Sequence, residues 1–398
     1  MSVKGYQGTA RAMNRRSVLH LLRTEAGLSR ADLAERTGLS RASITAVVGD
    51  LIDEGLICEG EANIGAPGRR PVPLEIRYRS RLAVGIRVTS DHLECVLTDL
   101  STEVIEAIHE PLTSSDPTGV VDAAERALAR LTPLAESVGS KITGVGVGFP
   151  GSFNIETGEV IRSFRLNWHN VPLAQLLADR INLPVWIDDD TLAFALNQQL
   201  FGAGKTHRTV GVLAIGEGIS CGSIIDGRVR RGAHGLAGKI GHLQIDPNGP
   251  VCECGRRGCL QAFYSLSSLQ TQWENISPDA SHLSLSLAAA KNHPDAVSLL
   301  RDAGEKVGHE MAMYCRFLDP SILIVGGEAA LLGPALLDPL REIIRLHGHM
   351  DRCDVVVDWE ERSWARGAAA LATQKLFDFE AVQGAVLAGA PDSFEFSE

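Results

Sequence analysis

The stretch LSRADLAERTGLSRASITAVVGDLIDEGLI, residues 28–57, decides the fold of the N-terminal part of the chain. Ser29 is a candidate N-cap with Asp32 at the third helical position, and Gly38 ends the short helix that they open. Ser40 can cap a second helix, whose apolar residues recur at helical spacing. These residues are Ile44, Val47, Val48, Leu51 and Ile52. Two short helices joined by a glycine-containing turn predict a helix-turn-helix.

The residues on either side of this stretch predict that the helix-turn-helix is winged. Residues 15–23 (RRSVLHLLR) have the apolar spacing of a helix that packs on one face. Residues 55–57 begin an extended segment, and residues 65–76 (GAPGRRPVPLEI) return as its partner strand. The tip of this wing carries Arg69 and Arg70, which we expect to reach phosphates or a minor groove.

The exposed start of the second helix carries the candidate base-reading side chains. They are Arg41, Ala42, Ser43 and Thr45. Short and charged side chains at a helix N-terminus suit the major groove of DNA. Because one helix-turn-helix covers only a half-site, we expect a homodimer or homotetramer on a pseudo-palindromic double-stranded DNA operator. The alternative is a three-helix packing module that binds no nucleic acid.

Charge is distributed unevenly along the 398 residues, whose net charge is −11. Residues 1–80 hold 12 Lys/Arg against 9 Asp/Glu, a net charge of +3, and the remainder carries −14. This asymmetry favours a DNA-facing head on an acidic body, although chance surface composition also gives such differences.

The N-terminal sequence MSVKGYQGTARAMNRR has no apolar core of a signal peptide, and no run of 18 apolar residues could span a membrane. We therefore expect a cytoplasmic, nucleoid-associated protein.

Beyond residue 80 the pattern becomes that of an α/β body. Paired strands with glycine turns, followed by helical segments, occur twice, which predicts two related lobes with a cleft between them. We expect a DNA-binding domain at 1–80, a first lobe at 81–198 and a second lobe at 199–378. The C-terminal helix of the second lobe can return to the first lobe and pack there. Residues 379–398 read as a flexible acidic tail.

One histidine and three cysteines occur close together in the second lobe. In GHLQIDPNGPVCECGRRGCLQAF, residues 241–263, these are His242, Cys252, Cys254 and Cys259. Glycines between the cysteines permit tight turns. Four such ligands leave no coordination position open, which is typical of a structural Zn²⁺ site. The alternative is a reduced, metal-free cluster or a redox pair.

The order of these motifs resembles that of the ROK family (repressors, open reading frames, kinases). It comprises the winged helix, the loop GFPG (148–151), an acidic strand end, GAHGLAGKIGH (232–242), the CxCGxxGC run and IVGG (324–327). The resemblance covers about residues 12–375. It implies a body with the actin/hexokinase-like fold of ROK sugar kinases, and it supports the zinc assignment position by position. Family members with a DNA-binding head are sugar-responsive regulators, whereas the kinases lack the head.

Comparison with the ROK kinases predicts that catalysis is lost. Asp190 occupies the position of the kinases' catalytic base, so it is a vestigial base position. The kinases' Asp-x-Gly-Gly-Thr turn is replaced by residues 87–91 (RVTSD), and their Gly-Thr-Gly turn has become Gly216-Glu217-Gly218. Unit charges 4 Å apart at an effective dielectric near 20 repel by roughly 4 kcal/mol, so we expect Asp91 and Glu217 to oppose ATP phosphates.

The resemblance also implies a ligand site with altered chemistry. Its residues are Asp189, Asp190, Lys239, His242 and Gln261, where the kinases carry Asn, Asp, Glu, His and Glu. We expect Asp189 to pair with Lys239, because Asn→Asp and Glu→Lys compensate each other in charge. The site then holds a sugar, polyol or derivative other than glucose, including one with an anionic group. The alternative is a degenerate pocket that binds nothing.

Three functions follow from these patterns. The leading hypothesis is a ligand-responsive DNA-binding transcriptional regulator, a repressor of carbohydrate or polyol metabolism genes without kinase activity. The second is an ATP-dependent sugar kinase fused to a DNA-binding head. The third is a ligand-independent DNA-binding protein whose body only dimerises.

Overall fold

The computed structural model describes residues 3–61, 72–154, 157–278, 283–348, 353–360 and 362–377. The N-terminal head has three helices and a two-stranded wing, as the sequence predicts. They are α1 (Val3–Thr24), α2 (Arg30–Thr37), α3 (Arg41–Asp53), β1 (Ile57–Glu59) and β2 (Leu74–Ile76). Strands β1 and β2 pair antiparallel, with Ile57 opposite Ile76. The predicted wing tip with Arg69 and Arg70 lies outside the described residues.

Local capping explains where the helices of the head begin and end. Ser29 and Asp32 form a reciprocal capping box at the start of α2, and Gly38 ends that helix with a φ of 69°. The Ser40 side chain accepts a hydrogen bond from the backbone of Ser43 at the start of α3. These predicted caps are confirmed.

Helix α1 is longer than the predicted segment 15–23. Its upstream turns lack an apolar stripe, and ion pairs attach them and the first residue of the predicted segment to the end of α3. Arg11 contacts Asp50 at 2.7 Å, and the buried Arg15 contacts Glu54 at 2.5 Å. Because these contacts join residues 39 positions apart, apolar spacing within α1 does not reveal them.

The first lobe contains a mixed five-stranded sheet of order β10-β6-β3-β4-β5. Strand β3 forms antiparallel pairs with β4, and parallel strands β6 and β10 extend the sheet on its other side. A small sheet of β7, β8 and β9 follows β6. The elements are β3 (Leu82–Val88), β4 (His92–Asp99), β5 (Val104–Pro111), α4 (Pro117–Ser137), β6 (Ile142–Phe149), β7 (Ser152–Asn154), β8 (Glu159–Ser163), β9 (Trp168–Val171), α5 (Leu173–Ile181), β10 (Val185–Asp189) and α6 (Asp190–Leu200).

The second lobe repeats the strand plan of the first. Its sheet has the order β15-β14-β11-β12-β13, again with an antiparallel hairpin flanked by parallel strands. The prediction of two related lobes is therefore confirmed. The elements are β11 (Val210–Ile215), β12 (Ile219–Ile225), β13 (Arg228–Val229), α7 (Leu260–Tyr264), α8 (Leu266–Ile276), α9 (Leu285–Ala290), α10 (Pro294–Leu318), β14 (Ile322–Gly326), α11 (Pro334–Gly348), β15 (Asp354–Val357) and α12 (Ser363–Phe377).

The C-terminal helix α12 packs on the sheet of the first lobe. Glycines allow this close approach, because a Cβ added at Gly85 or Gly146 would lie 2.0 or 1.8 Å from a carbonyl oxygen of α12. Helix α6 lies against α12 on one side and β12 of the second lobe on the other.

The lobe boundaries at 198 and 199 remain a prediction, and the proposed tail at 379–398 lies outside the described residues. Among the described helices, none is long and apolar enough to cross a membrane.

Candidate functional site

The start of α3 presents the side chains predicted to read DNA. Arg41, Ala42 and Thr45 are exposed, whereas Ser43 is half-buried and its hydroxyl lies 2.9 Å from that of Ser40. Within the described part of the chain Arg41 forms no ion pair, so its guanidinium is available to an external anion or base edge. The opposite face of α3 is buried against the head through Ile44, Val47, Val48 and Leu51.

The four predicted metal ligands converge. Their ligand atoms all lie within 4.8 Å of one another, with Cys252 Sγ 3.6 Å from His242 Nδ1 and Cys254 Sγ 3.7 Å from Cys259 Sγ. A tetrahedral ion with bonds of about 2.0–2.3 Å places its ligands at such separations. Burial lowers the pKa of His242, which favours the neutral imidazole that a metal ligand requires. The residues present therefore fit a four-coordinate metal ion.

Backbone turns bring the cysteines together. The amide of Cys252 donates to the carbonyl of Arg256 at 2.7 Å, and Gly255 has a φ of 84°. Gly258 also has a positive φ, and a Cβ there would lie 1.4 Å from the carbonyl oxygen of Asp246. The glycines of the CxCGxxGC run are thus required by conformation and by space.

A cavity of about 480 Å³ lies between the two lobes, next to the metal cluster. All five predicted ligand residues line it: Asp189, Asp190, Lys239, His242 and Gln261. The predicted ion pair between Asp189 and Lys239 is present. Asp189 also accepts a hydrogen bond from the Leu192 amide and caps α6. Burial raises the pKa of Asp189 to about 6, against the opposing influence of Lys239.

Gln261 and Asp190 present different groups to the cavity. Gln261 is buried, and its amide nitrogen donates to Glu253 at 2.9 Å, so Glu253 supplies a carboxylate near the position where the kinases carry one. Asp190 is half-buried and accepts from the Thr191 amide at 2.7 Å. Its remaining acceptor capacity suits ligand hydroxyl groups.

An ion pair between the lobes crosses the cleft at Arg87. This side chain is 8% exposed, and it contacts Glu328 of the second lobe at 2.6 Å and Glu94 of its own lobe at 3.3 Å. Its guanidinium also lies 5.1 Å from the centre of the Trp364 ring. The two carboxylates keep the pKa of Arg87 above its ordinary value in spite of burial, which acts in the other direction.

The glycine turn of the second lobe is covered by charged side chains. A Cβ added at Gly216 would lie 2.0 Å from Glu328 Oε2, and one at Gly218 would lie 3.0 Å from Arg165 Nη2. Arg165 also contacts Glu217 at 3.0 Å. The space in which backbone amides could approach a phosphate is therefore occupied by side chains of the protein.

The predicted repulsion of phosphate by two free acids is wrong in detail. Glu217 is paired with Arg165, which compensates its charge. The side chain of Asp91 is 80% exposed, bonds to His92 at 2.8 Å and is not among the residues that line the cavity. Ion pairs of Arg87 with Glu328 and of Arg165 with Glu217 occupy this part of the cleft.

Sequence reasoning missed several residues of the cavity. Arg162, Arg165, Glu253 and Arg256 line it, and no motif spacing distinguishes them from surface residues. Phe164 also lines it, with its ring 4.5 Å from the guanidinium of Arg162 and 5.6 Å from the ring of His242. For Arg87 the sequence did contain a signal, because an arginine occupies the position at which the kinase turn carries its aspartate.

A winged helix joined to a two-lobed, sugar-kinase-like body with a His-Cys₃ cluster defines the class of protein. The profile of the ROK family matches residues 83–375, and that of a winged helix-turn-helix DNA-binding domain matches residues 14–57. The chain belongs to the ROK family.

Relatives include both repressors and kinases. The chain is 30% identical to the xylose repressor of Caldicellulosiruptor bescii over 350 residues, covering 83% of this chain and 87% of that protein. It is 35% identical to the glucokinase of Thermotoga maritima over 227 residues, covering 53% of this chain and 72% of that enzyme. A crystal structure of a ROK family transcriptional regulator, a homologue of the E. coli MLC protein, superimposes with a TM-score of 0.81 at 26% identity. That match covers 93% of this chain and 98% of the other.

Proposed function

We propose that this protein is a sugar- or sugar-derivative-responsive DNA-binding transcriptional regulator, and that it represses genes of carbohydrate or polyol metabolism. The observation that carries the proposal is the coexistence of an exposed recognition helix and an interlobe cavity in one chain. The match to the xylose repressor from C. bescii covers 83% of this chain, whereas the match to the T. maritima glucokinase covers 53%.

The arrangement of the cleft supports loss of kinase activity. Phosphoryl transfer needs donors that surround the phosphates and a base beside the acceptor hydroxyl. Asp190 keeps the position of the base, but Glu328 and Arg165 cover the glycine turn, and Arg87 joins the lobes where the nucleotide would enter. Binding ATP there would require breaking these ion pairs and expelling their side chains.

The cavity suits a ligand rich in hydroxyl groups. Asp190 accepts hydrogen bonds, the Asp189–Lys239 pair offers both an acceptor and a donor, and Gln261 adds an amide. The ring of Phe164 provides an apolar surface for the carbon face of a sugar or polyol. Arg162 and Arg256 at the same cavity can accommodate an anionic substituent.

The His-Cys₃ cluster would hold Zn²⁺ through His242, Cys252, Cys254 and Cys259. Because all four positions are supplied by the protein, the ion would crosslink the loop and would perform no chemistry on the ligand. His242 both belongs to the cluster and lines the cavity, so the loop's shape and the ligand site depend on the same side chain.

The test starts with selection of bound fragments from a random-sequence DNA library by purified full-length protein. Release of the selected DNA is then measured with D-xylose, D-glucose, the corresponding polyols and the uronates. Release by one of these compounds, without ATP, is the expected result. ATP-dependent phosphorylation of a sugar would establish the fused-kinase alternative, and tight DNA binding that no compound alters would favour the ligand-independent protein.

A further inference from the structure

Helix α6 runs from the cavity to the DNA-binding head. Its first residue, Asp190, lines the cavity, and its N-cap Asp189 bonds to Lys239. At its other end the carbonyl of Leu200 accepts a hydrogen bond from the guanidinium of Arg23 in α1. The helix has 11 residues and is therefore about 16 Å long.

The last turn of α6 is also bonded to both lobes. The buried Asn197 accepts from the hydroxyl of Thr102 in the first lobe at 2.8 Å. Its neighbour Gln198, also buried, donates to Asp358, directly after β15 of the second lobe, at 2.8 Å. A rotation of one lobe against the other must therefore move this turn or break one of the two hydrogen bonds.

The contact between α6 and the head has both a polar and an apolar part. The Arg23 guanidinium lies at the negative end of the helix dipole, and 5.8 Å from the ring of Phe201. Leu196 and Leu200 belong to the same hydrophobic cluster as Leu19 and Leu22 of α1. The head therefore shares one apolar cluster with this end of α6 and with α12, so its orientation is tied to the body.

We propose that α6 couples the ligand cavity to the DNA-binding head, with Arg23 as the positioning residue that links lobe closure to head orientation. This inference rests on the proposed function, because it assumes that the cavity receives a ligand. A ligand that binds the closed lobes better than the open lobes would shift the last turn of α6, and Arg23 would carry that shift to α1. Coupling is reciprocal, so a change at either end must be detectable at the other.

The experiment uses amide hydrogen exchange on the full-length protein without ligand or DNA, so it does not depend on finding either. Lys239→Met removes the partner of Asp189 at the cavity end of α6. We expect exchange to accelerate about fivefold or more in residues 197–201 and in the last turn of α1, residues 19–24. Conversely, Arg23→Gln should accelerate exchange at residues 190–194. Arg23→Lys, which retains the charge, should keep the protection of the unmodified protein at these residues. If the Lys239→Met variant does not fold, the isosteric substitution Asp190→Asn replaces it as the change at the cavity end of α6.

The matched control is Arg126→Gln, which removes a partner of the buried Glu110 at a site away from α6. It should leave exchange in residues 19–24 and 197–201 unchanged. Effects of Lys239→Met that stay at the cavity end, or that accelerate α10 (Pro294–Leu318) equally, would overturn the proposal. Failure of the regulator hypothesis would appear separately, as absence of selected DNA or of sugar-dependent release.

Discussion

At the scale of single residues, the cleft is organised by arginines that have acidic partners on the opposite lobe. Arg87 reaches Glu328, and Arg165 reaches Glu217. Each pair joins side chains from the two halves of the body, so the pairs hold the lobes together as well as occupying the turn. Removing one partner from such a pair leaves the other charge poorly solvated.

Replacing Arg87 with alanine should lower the free energy of unfolding by about 2–4 kcal/mol, measured by urea denaturation. The arginine is buried, but the side chain of Glu328 is 35% exposed and keeps some contact with water, which moderates the loss. Arg341→Ala, which removes an exposed ion pair with Asp338, is the control and should cost less than about 1 kcal/mol. Equal losses of unfolding free energy in the two variants would show that the ion pairs of Arg87 contribute no more to stability than a surface ion pair.

Replacing Arg41 with alanine should change which DNA sequences are preferred, with about 1–3 kcal/mol of discrimination lost at one position of each half-site. Removing Arg69 and Arg70 should instead weaken binding to all sequences and flatten its dependence on salt concentration. Competition binding with single-base variants of the selected site, at several salt concentrations, separates the two effects. Unchanged affinity in all these variants would rule out the winged-helix interface.

At the scale of secondary-structure elements, local signals were read correctly, whereas of the distant contacts the sequence indicated the Asp189–Lys239 pair but not those between the head and α6 or over the glycine turn. The capping box of Ser29 and Asp32 and the glycine end of α2 depend on residues within one turn, so the sequence contains them completely. The converging cysteines were predictable for the same reason, since the loop is short. The contact of Arg23 with Leu200 joins residues 177 positions apart, and it exists only because α6 and α1 pack together. The side chains over Gly216 and Gly218 likewise depend on how the lobes meet.

The metal loop is an element whose removal should affect the ligand response more than DNA binding. Cys254→Ala should lose zinc, and structural zinc can contribute roughly 10 kcal/mol to local folding. The loop carrying His242 would then no longer shape the cavity, whereas Val18, Leu33 and Ile44 of the head lie in a different hydrophobic cluster from Leu260 and Tyr264, which follow the metal loop. Zinc content and operator release by the active compound are measured on wild type and variant. Cys58→Ala, in the wing strand β1, is the control and should retain both.

A zinc-free Cys254→Ala protein that still releases DNA normally on addition of the compound would exclude the loop from the switch. Loss of DNA binding in parallel with loss of zinc would show that the fold of the head depends on the metal loop. The expected result lies between these two: operator affinity within about threefold of wild type, with the response to ligand abolished.

At the scale of the whole molecule, the described part of each chain contains a single helix-turn-helix, so cooperation between two heads must come from assembly. A change in lobe closure is useful for regulation only if it alters the relation between two heads that bind one operator. The packing of the head against α6 makes its orientation depend on the body. Two such heads in a homodimer would then match one spacing of half-sites in the absence of ligand.

This dependence predicts a strict spacing between half-sites in the selected operator. Inserting 5 base pairs between them turns one half-site to the opposite face of the duplex, because B-DNA repeats about every 10–10.5 base pairs. Affinity of the full-length protein should fall at least about 100-fold, towards that of a single half-site, as measured by fluorescence anisotropy. Inserting 10 base pairs restores the face but lengthens the separation by about 34 Å, so recovery should be partial at most. In the Arg23→Gln variant, which loses the polar contact between α1 and α6, the penalty of the 5-base-pair insertion should shrink. An operator that tolerates both insertions equally in the unmodified protein would mean that the heads bind independently, and lobe closure would then have no geometry through which to act.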